Sequence, residues 1–132
     1  MRYAEGDRLA PAEYRALRAA AGWSDPGIDD AALAATLAAT WNVTARSDDG
    51  TLVGMGRVQD DGLYASIWDM IVLPEERGRG IGSGIFERML TRCRGRSLVA
   101  LVATPDGAPM YRAAGFSEES RGSIALFRRD VE

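Results

Sequence analysis

The sequence contains neither histidine nor lysine, and its sixteen basic residues are all arginine. Without histidine the chain lacks the usual base at neutral pH and the commonest metal ligand, which argues against zinc hydrolases and Ser-His-Asp chemistry. Without lysine it can form no Schiff base and has no Walker lysine. We therefore expect an activity that uses no metal and no lysine or histidine side chain.

Cysteine, positive charge and long apolar runs are also scarce. Cys93 is the only cysteine, so neither an internal disulfide nor a thiolate metal cluster is expected. The formal charge of −3 argues against nucleic acid as a partner. No apolar run approaches the roughly 20 residues that span a bilayer, and the first residues lack the apolar stretch of a signal peptide. We expect a cytoplasmic chain without a membrane partner.

What is present is the composition of an ordinary globular protein. The chain has 132 residues, of which 46% are hydrophobic and 27% charged. This length suits one hydrophobic core, and no linker or repeat interrupts it. We predict a single domain over residues 1–132.

Two helices are predicted in the first part of the chain. Residues 11–21 have helical spacing of apolar side chains, with Pro11 in the first turn and Gly22 after the last. A second helix is expected to start at Asp29, whose side chain can cap it.

Strands are predicted next, in an antiparallel meander with Asp-Gly turns. The predicted strands are residues 43–46, 51–59 and 63–73. Asp60 and Asp61 are interpreted as turn residues.

The second half of the sequence predicts a β-α-β unit. An amphipathic helix extends to about Arg94, and the nearly all-apolar residues 97–104 are expected to form a strand covered on both faces. A short helix at 108–114 and a final strand at 123–128 follow. The predicted fold class is α+β, a mixed sheet with helices on both sides.

A glycine-rich loop lies between the long strand and the amphipathic helix, where unpaired N–H groups and the helix dipole favour an anion. Its glycines let the backbone approach a pyrophosphate, its arginines can add charge-assisted bonds, and the serine after it can donate a hydroxyl. These residues are Arg77, Gly78, Arg79, Gly80, Ile81, Gly82 and Ser83.

Two common nucleotide motifs do not fit this loop. A P-loop requires Lys-Ser or Lys-Thr after the glycines, which is absent. A Rossmann fingerprint requires a third glycine where Ile85 stands and a later carboxylate, and residues 100–102 offer none.

Two segments resemble the signatures of the GNAT acyltransferase superfamily. IVLPEERGRGIG, residues 71–82, is similar to its V-x-P and R/Q-x-x-G-x-G/A motif, and YRAAGF, residues 111–116, to its second motif. The resemblance covers essentially the whole chain and is most specific from Asp69 to Phe116. It implies the GNAT fold with splayed central parallel strands, and acetyl-CoA as co-substrate.

The resemblance also implies roles for individual residues. The backbone of Met70, Ile71 and Val72 would pair with the pantetheine amides, and an N–H of Ile71 or Val72 would face the thioester oxygen. Tyr111 would be the general acid that protonates the departing thiolate.

The general base and the acceptor are less closely defined. The base is a carboxylate, with Asp69 the first choice, or a water chain, or it is unnecessary because the amine arrives neutral. We expect the acceptor to be a primary amine of a small molecule. Aromatic side chains that could line its pocket, or simply fill the core, are Trp23, Trp41, Tyr64 and Trp68.

Two other functions remain open at this point. The chain could be a CoA-binding sensor or interaction module without catalysis, or an acetyltransferase that modifies proteins. Many members of this superfamily are dimers, so the resemblance also suggests a homodimer.

Overall fold

A computed structural model describes residues 1–119 and 121–130 of the chain. Two compact units, Met1–Val102 and Ala103–Glu132, are described separately. The helices and strands are β1 (Arg2–Glu5), α1 (Pro11–Ala20), α2 (Asp30–Ala38), β2 (Trp41–Arg46), β3 (Leu52–Asp60), β4 (Tyr64–Val72), α3 (Ile81–Arg92), β5 (Leu98–Leu101) and α4 (Ala108–Ala113). None of the helices in the described ranges has the length and apolar character needed to cross a membrane.

The first unit is built on a five-stranded mixed sheet in the order β1-β2-β3-β4-β5. The first four strands are antiparallel neighbours, and β5 runs parallel to β4. This confirms the predicted meander, followed by a crossover through α3. β1 was not predicted, because its four residues are too few to show a period of two.

Helices cover both faces of this sheet, as predicted. On one face α3 packs directly on β3, where a Cβ added to Gly56 would lie 2.5 Å from Met89 Sδ. Met55, the neighbour of Gly56 in β3, points to the opposite face and joins a buried cluster with α1 and α2. The cluster comprises Leu9, Tyr14, Leu17, Leu33, Leu37, Leu52, Met55 and Ile71.

The predicted helix ends agree with the structure to within about two residues. Asp29 caps α2 by accepting a hydrogen bond from the Ala32 N–H at 2.8 Å. Gly22 has a φ of +79°, so a left-handed residue follows α1. Asp60 and Asp61 accept backbone hydrogen bonds within their turn, as expected for turn residues.

The strand predicted at residues 97–104 is shorter and more exposed than expected. β5 covers Leu98–Leu101, and the side chain of Leu98 is 59% exposed. Among the described residues β5 pairs only with β4, so it lies at an edge of the sheet. The prediction of a strand covered on both faces was therefore wrong, because an apolar run does not show whether a second neighbour is present.

The second unit contains α4, as predicted, with Gly115 in a left-handed conformation after it. The strand predicted at residues 123–128 is absent from the described residues 121–130. Ile124, Leu126 and Phe127 are 79%, 83% and 70% exposed. Apolar side chains alone do not make a strand, since the backbone also requires a neighbour for its hydrogen bonds.

Candidate active site

The carboxyl-terminal part of β4 has one open edge. Pairing with β5 ends at Ile67 and Leu101, whereas pairing with β3 continues to Val72 and Gly54. Within the unit Met1–Val102, the end of β4 therefore lacks a strand neighbour on the β5 side. β5 pairs with β4 over its whole length, and the open edge arises because β4 continues beyond the end of β5.

The register of β4 determines which backbone groups face this open edge. The Leu73 N–H donates to the Val53 carbonyl at 2.8 Å, so these two residues form a hydrogen-bonded pair. Antiparallel pairs alternate, so Val72 points its N–H and carbonyl away from β3, whereas Ile71 points them toward it. Of the two residues predicted to present an N–H to the thioester, only Val72 has the required direction.

A bulge interrupts β4 just before these residues. Met55 lies opposite Ile71 and Arg57 opposite Trp68, so two residues of β4 share the single position Gly56 on β3. The first of the two is Asp69, which has a φ of +53°. Left-handed backbone is uncommon outside glycine, and bulges with such residues change the direction of a strand.

The Asp69 carboxylate is tied to three side chains and is only 11% exposed. It accepts a short hydrogen bond from the Tyr14 hydroxyl. Its Oδ2 also accepts from Arg57 Nη1 at 2.6 Å, and its Oδ1 from Arg18 Nη1 at 3.2 Å. Burial, and then the bond to Asp69, raise the pKa of Tyr14. Since both carboxylate oxygens already accept bonds from cations, the geometry favours a structural role for Asp69 over the predicted role of general base.

The glycine-rich loop has open space in front of its backbone. Gly78 and Gly80 have φ values of +79° and +80°, and Gly80 is the N-cap of α3. A Cβ added to either would meet no protein atom within 4 Å. Glycine is thus required by the backbone conformation, and the space beside it can admit a ligand.

The loop and the open edge of β4 are neighbours in the same unit. A Cβ added to Gly82, in the first turn of α3, would lie 3.7 Å from both Met70 and Val72. Ile81 and Ser83 belong to the same first turn, whose N–H groups precede the helical hydrogen-bond ladder. The residues present therefore fit an elongated ligand with a phosphate group at one end.

The two arginines of the loop have different roles in the structure. Arg77 donates a hydrogen bond from Nε to the Val72 carbonyl at 3.1 Å. This carbonyl, one of the backbone groups of β4 that face the open edge, therefore already has a partner. Arg79 is 68% exposed and pairs with Glu76 at 3.2 Å. Exposed ion pairs contribute little free energy, so Arg79 can exchange this partner for a phosphate.

Tyr111 lies on α4 in the unit Ala103–Glu132 and is only 8% exposed. Its ring makes an edge contact with Phe116, with centroids 6.4 Å apart and an interplanar angle of 68°. Burial raises the pKa of Tyr111. The aromatic residues at the two ends of the YRAAGF segment thus pack on one another.

The four aromatic residues predicted near the acceptor do not form one group. Tyr64 and Trp68 lie on the same face of β4 and are 54% and 42% exposed. Trp23 contacts the Arg18 guanidinium, at 5.3 Å from the ring centroid. Trp41 lies on the face of α3, under Arg92, so it is separated from the others by the sheet.

The model of the acetyltransferase (GNAT) family matches residues 10–116 of the chain. The chain belongs to this family. GCN5-related N-acetyltransferase 3, chloroplastic, of Arabidopsis thaliana is 36% identical over 88 residues, 64% of this chain and 37% of the relative. An uncharacterized N-acetyltransferase of Porphyra purpurea is 33% identical over 86 residues, 62% of this chain and 49% of the relative. The chain thus spans less than half the length of these two relatives.

Solved GNAT structures share the fold over nearly the whole chain. A probable acetyltransferase from meticillin-resistant Staphylococcus aureus is 26% identical with a TM-score of 0.79, covering 97% of this chain and 99% of that one. A predicted acetyltransferase from Clostridium acetobutylicum, solved with acetyl-CoA, has a TM-score of 0.71 at 21% identity, covering 96% and 95%. The second likeness concerns the fold alone.

Proposed function

We propose that this chain transfers an acetyl group from acetyl-CoA to a primary amine of a small molecule, by direct attack in a ternary complex. The observation that carries the proposal is the glycine loop, with free space at Gly78 and Gly80, beside the open edge of β4. This combination suits a ligand that has both a pyrophosphate and an extended amide-containing arm.

Each part of the site would hold one part of the co-substrate. The first turn of α3 and Arg79 would bind the pyrophosphate, and the end of β4 would bind the pantetheine arm. Acetyl-CoA supplies the activated acetyl thioester. The Val72 N–H is directed to the open edge and would donate to the thioester oxygen, while Arg77 holds the carbonyl of the same residue, which belongs to the next peptide unit.

Tyr111 would hold the proton that the departing sulfur needs. A buried phenol with a raised pKa is fully protonated at neutral pH, so its O–H is available to the sulfur as negative charge develops there, although the thiol that forms is the stronger acid. Because Asp69 is engaged with two arginines, we propose that the amine arrives neutral or loses its proton through water.

The acceptor is proposed from the exposed part of β4. Tyr64 and Trp68 offer apolar surface, and the Trp68 indole N–H donates to Ser66 Oγ at 2.7 Å. Aromatic surface favours an amine with an aromatic or apolar body. One relative, serotonin N-acetyltransferase 2, chloroplastic, of Oryza sativa subsp. japonica, is 35% identical over 77 residues, 56% of this chain and 38% of the relative. Arylalkylamines are therefore the first acceptors to test.

Protein acceptors are the second candidate. A relative called histone acetyltransferase TAP1, of Glycine max, is 30% identical over 79 residues, which are 58% of this chain. The homodimer and the cytoplasmic location stay predictions.

The test is a panel of amines with acetyl-CoA, in which release of the CoA thiol is followed for the wild-type chain and Tyr111→Phe. The panel contains arylalkylamines, aliphatic polyamines and a lysine-rich peptide. We expect thiol release that depends on an arylalkylamine and is slowed in the variant. Release that needs no amine, or a panel without any active amine, would contradict the proposed transfer and favour the CoA-binding module.

A further inference from the structure

We propose that Asp69 is a positioning residue, whose side-chain contacts hold the left-handed bulge of β4 and so direct the Val72 peptide group to the acetyl donor. The inference rests on the proposed function, since it assigns a purpose to the bulge. In this role Asp69 does not remove a proton from the amine but fixes the backbone conformation of the bulge.

The bulge changes which peptide groups of β4 face the open edge. Pairs between β3 and β4 alternate between hydrogen-bonded and not hydrogen-bonded, and Val53 belongs to a hydrogen-bonded pair. Val58 lies an odd number of residues from Val53, so its pair with Ile67 is not hydrogen-bonded. Ile67 therefore points its N–H and carbonyl away from β3. In an uninterrupted strand the same alternation would turn Ile71 outward and Val72 inward. The extra residue at Asp69 shifts this alternation by one, so that Val72 faces outward.

The bulge requires a conformation that L residues other than asparagine and aspartate rarely adopt. Asp69 has a φ of +53° within a strand whose flanking residues are extended. Such a residue persists only where its surroundings restrain it. Restraining contacts are therefore expected around its side chain.

Those contacts come from two separate elements. From β3, Arg57 reaches Oδ2 at 2.6 Å, and its Nε is fixed by Thr40 Oγ1 at 3.2 Å. From α1, the Tyr14 hydroxyl and the Arg18 guanidinium reach the same carboxylate. Arg57, Arg18 and Asp69 have only 10%, 15% and 11% of their side chains exposed. Bonds from both sides of the bulge fix the direction of the carboxylate, and with it the backbone.

Three substitutions at one position separate this role from a catalytic one. Asp69→Gly removes the side chain but allows the left-handed backbone, Asp69→Ala removes both, and Asp69→Asn keeps an acceptor oxygen and tolerance of positive φ. The readout is the dissociation constant of acetyl-CoA by calorimetry, together with kcat for the best amine. The melting temperature of each variant reports its folding.

We expect acetyl-CoA to bind Asp69→Ala about tenfold more weakly than Asp69→Gly, because only glycine takes the left-handed backbone without steric cost. Asp69→Asn should bind within about threefold of the wild type. Its kcat at saturating acetyl-CoA should stay close to that of the wild type, because no base has been removed. If all three variants bind acetyl-CoA like the wild type while kcat collapses in each, Asp69 acts as the base and the proposal is overturned.

A second pair of variants covers the case in which Asp69→Ala does not fold. Arg57→Met removes the cation opposite the bulge. Arg46→Met is the control, because Arg46 lies on β2, is similarly buried, and pairs with Glu13 and Asp7. Both should lower the melting temperature, but only Arg57→Met should weaken acetyl-CoA binding. Equal dissociation constants for the two would overturn the proposal.

Failure of the proposed function gives a different result. A wild-type chain that binds acetyl-CoA but acetylates no amine contradicts the transferase, and the order of dissociation constants among the variants still decides the role of Asp69. A wild-type chain that does not bind acetyl-CoA contradicts both.

Discussion

Tyr111 is the single side chain on which the proposed chemistry depends most. Replacing it by phenylalanine keeps the ring that packs on Phe116 and removes the hydroxyl group that carries the proton. We expect kcat in Tyr111→Phe to fall about 100-fold, the lower range for loss of a general acid, with little change in acetyl-CoA affinity. Steady-state kinetics and calorimetry on the same preparation measure both. Equal kcat in the two proteins would remove Tyr111 from the mechanism.

The pH dependence of this variant provides a separate check. Burial raises the pKa of Tyr111 above its usual value of 10.0, so the phenol keeps its proton to a higher pH than an exposed tyrosine does. The alkaline fall in kcat should therefore have its midpoint above pH 10 in the wild type and be absent in Tyr111→Phe. A fall centred near pH 8 in the wild type would contradict this assignment.

Glu13 links α1 to β2 and should make the fold sensitive to acid. Two bonds from the Arg46 guanidinium, at 2.8 and 2.9 Å, hold the pKa of Glu13 below its usual value of 4.5. Glu13 therefore binds a proton more readily in the unfolded chain than in the folded one. The free energy of unfolding that its ion pair contributes is present above pH 4.5 and is lost as the pH falls through the pKa of Glu13 in the folded chain. From pH 7 to pH 3, Glu13→Gln should lose less free energy of unfolding in urea than the wild type. Parallel losses would contradict the prediction.

The residues that the sequence identified are those with local signatures. The glycines of the loop and Tyr111 can be recognised because each belongs to a motif of residues that are adjacent along the chain. Tyr14 and Arg57 could not be recognised, since each meets Asp69 only after folding, from positions 55 and 12 residues away. A carboxylate that is read as a base from its position can therefore be an ion-pair partner in the structure.

The start of α3 is the element that we propose binds the pyrophosphate of the donor. Gly80→Ala places a Cβ on a left-handed N-cap, which should lower the free energy of unfolding by about 1–2 kcal/mol. The same Cβ would occupy the space proposed for phosphate. Gly62→Ala is the matched control, because Gly62 has a φ of +93° and equally open surroundings in the β3–β4 turn. Both should lower the melting temperature, but only Gly80→Ala should weaken CoA binding, by about tenfold. Equal dissociation constants for the two variants would place the ligand elsewhere.

The contact between α3 and β3 depends on a second glycine. A Cβ at Gly56 would lie 2.5 Å from Cε and Sδ of Met89, which is fully buried. Gly56→Ala should therefore cost about 1–3 kcal/mol in urea unfolding, as overpacked cores do. In a Met89→Ala background the same change should cost much less, because the clashing atoms are gone. An equal cost in both backgrounds would show that backbone effects dominate.

Elements with their own start and stop signals were predicted well, and those that depend on neighbours were not. Asp29 and Gly22 mark helix ends in the sequence itself, and the Asp-Gly turns mark the meander. Leu98 lies in an apolar run that predicted a strand covered on both faces, and Ile124 lies in the final strand predicted at residues 123–128. Neither expectation was met, because pairing and burial depend on which other segment lies alongside.

At the scale of the whole molecule, the family and the fold are established, whereas the acceptor is proposed. The chain covers 37% and 49% of the two relatives compared first, so its acceptor cannot be transferred from them. Within one fold, substrate choice depends on the side chains of individual sites. In the proposed function those are the exposed Tyr64 and Trp68, which lie in the same strand as the residues proposed to bind the donor.

The glycine loop beside the open end of β4 implies that the folded chain binds the acetyl donor. Thermal or chemical unfolding of the wild type with and without CoA tests this most directly. CoA at 100 times its dissociation constant should add about 2.7 kcal/mol to the free energy of unfolding, and Gly80→Ala should need about ten times more ligand for the same gain. An unchanged unfolding transition at millimolar CoA would contradict the assignment of the loop.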